Sequence, residues 1–90
     1  MSTFKVIVPR RPEKSLDRIE EKYRTRIIQA LEYLRQNPVP VKEFDVTKIS
    51  GSESNYRIRI TGFRILYGVN WNEKEITVYD IDTRKGRTYK

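Results

Sequence analysis

Ninety residues with ten aromatic side chains can bury one modest core, and the lack of cysteine excludes a disulfide framework or a thiolate zinc site. The lack of histidine removes the commonest general base and metal ligand, and with it a Ser-His-Asp triad. A net charge of +7 instead calls for an anionic partner: nucleic acid, an acidic protein or a membrane surface.

In chain order, residues 3–8 (TFKVIV) are β-rich and end at Pro9, which predicts a first strand. Pro12 suits the first turn of a helix, where a missing N–H costs no hydrogen bond. Leu16, Ile19 and Tyr23, then Ile27, Leu31 and Leu34, recur at helical spacing. They predict an amphipathic region over about residues 12–36, folded as a two-helix hairpin rather than as one long helix. Asn37-Pro38 stops it, and Pro40 keeps the connector extended. Residues 44–50 read as a strand, 51–54 (GSES) as a turn, and 56–60, 63–69 and 75–81 as three more strands, with a second hairpin turn at 70–74. The expected architecture is α+β and occupies 1–90 as a single domain. In it the N-terminal strand and the helical hairpin pack on one face of a small twisted antiparallel sheet. No apolar run approaches the roughly 20 residues of a membrane span, and the N-terminus lacks the layout of a signal peptide. The expected location is the cytoplasm, away from any membrane.

The stretch SNYRIRITGFRILYGVNW (54–71) carries the strongest signal. Tyr56, Ile58 and Ile60 alternate with Arg57, Arg59 and Thr61, and Thr61-Gly62 reads as a two-residue turn before Phe63, Ile65, Tyr67 and Val69. That turn sets Ile60 against Phe63, Ile58 against Ile65 and Tyr56 against Tyr67. It also sets Arg57 against Leu66 and Arg59 directly against Arg64, a like-charge pair that weakens a sheet by a few tenths of a kcal/mol. No acidic residue occurs from Ser54 to Asn72, so the local sequence offers these arginines no counter-charge. A solvated sheet face is the simpler reading. Guanidinium groups on a rigid hairpin also make planar, two-pronged donors for phosphate, and the missing acids favour that reading.

A second basic cluster, RKGRTYK (84–90), contributes Arg84, Lys85 and Arg87, with Tyr89 able to stack on a base or move a proton. On composition alone a basic tail explains it equally well. Trp71 and Tyr79 are further stacking candidates, although a turn-edge tryptophan and a strand tyrosine read first as packing residues. Asp80 and Asp82 are too few for a magnesium site and read as partners of Arg84 or Lys85. No metal and no cofactor is expected.

FDVTKISG, then NYRIRITGFRILYGVNW, then RKGRTYK resemble the RelE/ParE superfamily of type II toxin–antitoxin toxins, and most closely its archaeal RelE-like branch. The resemblance covers most of the chain. It implies a microbial-RNase-like fold with two helices on an antiparallel sheet. It further implies an endoribonuclease that enters the ribosomal A site and cuts mRNA there, by attack of the 2′-hydroxyl on the adjacent phosphate. It assigns Arg57 and Arg59 to holding the substrate backbone and assisting 2′-hydroxyl activation, and Arg64 to the scissile phosphate. Arg84 matches the arginine that stabilises the transition state or the leaving 5′-oxygen, and Tyr89 the tyrosine near the substrate base. Lys85 and Arg87, from the basic cluster itself, are further candidates for nucleic-acid binding. The implied partners are the ribosome, mRNA and a cognate antitoxin with a helical, acidic stretch, forming a toxin–antitoxin hetero-oligomer. Bacterial RelE proteins usually carry lysine where this chain has Arg57 and Arg59. Arginine stays protonated, so the general base is left to Tyr89 or to ribosomal RNA. The alternatives are a ParE-like gyrase inhibitor without RNase chemistry, or a non-catalytic module that binds nucleic acid or an antitoxin.

Overall fold

The computed structural model describes residues 3–82. Strand β1 (Lys5–Ile7) leads into helix α1 (Arg10–Asp17) and helix α2 (Glu21–Leu34), followed by β2 (Asp45–Lys48), β3 (Asn55–Ile60), β4 (Phe63–Asn70) and β5 (Glu75–Asp82). The helical region is indeed broken in two. Arg18 and Ile19 donate their N–H groups back to Ser15 and Leu16 and tighten the end of α1, and the Arg24 guanidinium donates to the Ile19 carbonyl at 2.8 Å. Pro12 lies within the first turn of α1, as its missing donor demands.

The five strands form one sheet in the order β1-β5-β4-β3-β2. From β2 to β5 it is the expected antiparallel meander. The outer edge differs from the expectation of a wholly antiparallel sheet: β1 runs parallel to β5, with Lys5, Val6 and Ile7 opposite Glu75, Ile76 and Thr77. Pairing between segments so distant in the chain leaves no trace in local periodicity. The sheet is therefore mixed, within the α+β class.

One face of the sheet is dry. Ile58, Ile60, Phe63, Ile65, Tyr67, Val69, Ile76, Val78 and Ile81 pack with Leu16, Ile19, Ile27, Ala30, Leu31 and Leu34 of the helical layer in one cluster. Tyr67, the largest fully buried side chain, donates its hydroxyl to the Pro38 carbonyl at 2.7 Å and so ties the connector after α2 to the sheet. Burial, then the nearby Tyr56, push its phenol pKa above the ordinary tyrosine value. No helix among the described residues is long and apolar enough to cross a membrane.

Candidate nucleic-acid interface

The β3–β4 hairpin has the register that its turn dictates. Thr61 and Gly62 both take positive φ (50° and 91°), the signature of a type I′ turn whose twist matches that of the strands. Ile60 then faces Phe63, Arg59 faces Arg64 and Arg57 faces Leu66. Because side chains alternate along a strand, burying Ile58 and Ile65 sends all three arginines to the face that the helices leave open. Arg59 and Arg64 are exposed there, and Arg57 is half-buried.

Arg57 and Arg64 line a depression of about 580 Å³ together with Thr47, Leu66, Asp80 and Asp82. Arg57 makes one long 3.4 Å contact from its terminal nitrogen to the Thr47 hydroxyl. Its Nε–H is covered and has no hydrogen-bond partner among the described residues. A covered donor without an acceptor costs about 1–3 kcal/mol.

The expectation that these arginines lack counter-charge is corrected by the sheet. The acid-free window holds within the hairpin, but the flanking strands supply carboxylates. Arg64 donates to Asp82 on β5 at 2.6 Å, and Asp45 on β2 stands in register with Arg59. Asp82 thus has Arg64 as a partner. The expected pairing with Arg84 or Lys85 lies outside the described residues, as do Arg84, Lys85, Arg87 and Tyr89 themselves. Among the described residues, no three His, Cys, Asp or Glu side chains gather as metal ligands.

A feature that the alternation argument missed lies further along the same open face. The pairing of β4 with β5 shifts register between Leu66 and Tyr67, and Tyr79 is the extra residue on β5. Its side chain stays exposed and lies against Gly68, where a Cβ would come within 2.6 Å of the tyrosine hydroxyl. Trp71 is half-exposed and lines the same hollow, its ring perpendicular to that of Phe4 with centroids 5.5 Å apart. The sequence did hold a signal: Ile76 and Val78 alternate, but the next buried residue is Ile81, a break in parity that marks a bulge.

A family model described as the ParE toxin of the type II toxin–antitoxin system parDE matches residues 6–87. The chain belongs to the RelE/ParE toxin family. RelE1 of Methanocaldococcus jannaschii, itself a candidate toxin, is 32% identical over 83 residues, covering 92% of each chain. The archaeal RelE of a RelE–RelB complex from Pyrococcus horikoshii superposes with a TM-score of 0.84 at 31% identity, over 96% of this chain and 99% of that one. The isolated RelE toxin of Escherichia coli shares the fold, with a TM-score of 0.78 at 17% identity, over 97% and 88% of the two chains.

Proposed function

We propose that this RelE/ParE-family toxin is a ribosome-dependent endoribonuclease that cuts mRNA in the A site. The observation that carries the reading is the depression on the open sheet face that Arg57 and Arg64 line together. The 2′-oxygen attacks the adjacent phosphorus and the bond to the 5′-oxygen breaks. This leaves a 2′,3′-cyclic phosphate and a 5′-hydroxyl. Negative charge builds on the phosphate oxygens, and preorganised guanidinium groups stabilise it without a metal ion. Arg64 contacts the scissile phosphate, while Arg57 and Arg59 hold the strand. The 2′-hydroxyl proton goes to the phenolate form of Tyr89 or to ribosomal RNA, because an arginine that stays protonated cannot accept it, and water returns a proton to the leaving 5′-oxygen to give the 5′-hydroxyl. Arg84 assists the leaving oxygen. The regulatory partner is an antitoxin with a helical, acidic stretch, a reading supported by the RelB complexes of the archaeal relatives.

The test is primer extension on a reporter mRNA after induction of the protein. Cuts within codons are expected only where the message is translated, together with growth arrest that a cognate antitoxin relieves. Arg64→Ala should slow cleavage about 10²- to 10³-fold, the size of losing one preorganised charge-stabilising donor. Full activity in that variant would remove Arg64 from the phosphate. The ParE description of the family model favours one second reading, inhibition of gyrase by binding. Loss of supercoiling activity with purified protein, without mRNA cleavage, would establish it instead.

A further inference from the structure

The open face of the sheet carries two chemistries, not one. The arginine depression is followed along β4 by a second hollow of about 600 Å³, lined by Ser54, Gly68, Trp71, Glu75, Thr77 and Tyr79 among others. Arg64 and Gly68 point to the same face four residues apart, about 13 Å at 3.3 Å per residue. No lysine or arginine among the described residues lines the second hollow, and Glu75 gives it a carboxylate. It is poorly suited to a phosphate. Amides, hydroxyls, one carboxylate and two half-exposed rings are instead the groups that recognise a nucleobase: the rings stack on its faces and the polar atoms meet its edge.

Two details indicate that the tyrosine is placed rather than left over. Alternation from the buried Ile76 and Val78 sets Tyr79 on the open face, where the register shift leaves it without a partner on β4, and glycine at position 68 removes the Cβ that would strike its ring at 2.8 Å. The phenol therefore lies low over the strand beside Trp71 and leaves its other surface to solvent. We propose that Tyr79, seated over Gly68 and flanked by Trp71, is a stacking subsite. It holds a base of the single-stranded RNA whose phosphate rests on Arg57 and Arg64. The inference builds on the RNA reading above and adds the residues that would grip a base beside the cut.

Trp71 is the only tryptophan, so intrinsic fluorescence reports directly on this hollow. The purified protein is titrated with a short single-stranded RNA and with an abasic ribose-phosphate oligomer of equal length. The RNA should quench Trp71 and bind more tightly than the abasic oligomer. Tyr79→Ala should weaken RNA binding about 5- to 150-fold while leaving abasic binding unchanged, the range seen for losing one stacked base. Tyr79→Phe should bind as the native protein does. Gly68→Ala, which displaces the ring and the adjoining Asn55 amide without removing either, should fall between the two. Equal affinity for both oligomers, or unchanged RNA binding in Tyr79→Ala, overturns the subsite. So does a loss of affinity in that variant only for a cognate antitoxin, which would make the hollow a protein-docking site. Normal ribosomal cleavage alongside unchanged RNA binding in Tyr79→Ala removes the subsite alone. Absence of cleavage by the native protein, with quenching intact, removes the nuclease reading alone.

Discussion

Asp82 holds the arginine that the proposed reaction needs. Its carboxylate lies 2.6 Å from the Arg64 guanidinium, so a phosphate approaching that group meets a competitor already in place. Arg64 is about half exposed, and an exposed ion pair of this kind is worth about 0.5–1 kcal/mol. Asp82→Asn should therefore cost little stability and should raise RNA affinity several-fold, which nitrocellulose filter binding can measure; weaker binding would show that the carboxylate orients Arg64 rather than competing for it. Tyr67 offers a second test at the same scale. Its buried hydroxyl is bonded to the Pro38 carbonyl, so Tyr67→Phe should lose about 1–2 kcal/mol in urea unfolding. Burial raises the phenol's pKa, so above about pH 10 the unfolded chain gives up this proton while the folded one keeps it. The stability due to Tyr67 is whole below that pH and is lost as pH rises through the window above it, at up to about 1.4 kcal/mol per pH unit. The native protein should destabilise more steeply there than the Phe variant; equal slopes would mean that the phenol is not shielded.

The β3–β4 hairpin is the element that the sequence specified best. Strict alternation and a two-residue turn left one register, and every expected pair from Tyr56–Tyr67 to Ile60–Phe63 is present. The turn itself is not optimal. Thr61 is β-branched and sits at φ 50°, where asparagine is far more comfortable. Thr61→Asn should raise stability by about 0.5–1 kcal/mol, seen as an upward shift of a few degrees in thermal unfolding. A downward shift would mean that the bond from the Thr61 hydroxyl to the Ile60 carbonyl outweighs the strain. Elements whose neighbours come from elsewhere in the chain were less legible. The parallel seating of β1 on β5 and the placing of Asp45 and Asp82 beside the arginines depend on which strands adjoin, and composition within a strand does not encode that. The arginine site was thus visible as a row of cations, while its counter-charges were not. Tyr79 was named as an aromatic of interest, and a period of two from Ile76 and Val78 already exposes it, but its seat over Gly68 depends on strand pairing that composition does not encode.

For the molecule as a whole, the charge of +7 becomes a measurable salt dependence. If the three sheet arginines each neutralise one phosphate of a single strand, log K for a short RNA should fall with log salt at a slope near −2. A steeper slope would count further contacts, with Arg84, Lys85 and Arg87 as the first candidates, and a flat one would show that phosphate contacts do not drive binding. The acids beside the arginines have a consequence for selectivity. A lone anion must displace Asp82 from Arg64 on a face where Asp45 stands opposite Arg59, and it gains one site in return. A chain of linked phosphates meets the same opposition once, and after its first contact it offers the next at high effective concentration. For the RNA proposed above, weak sites with built-in rivals would therefore pass over small anions and respond to connectivity, so that the face would count linked charges before holding any of them.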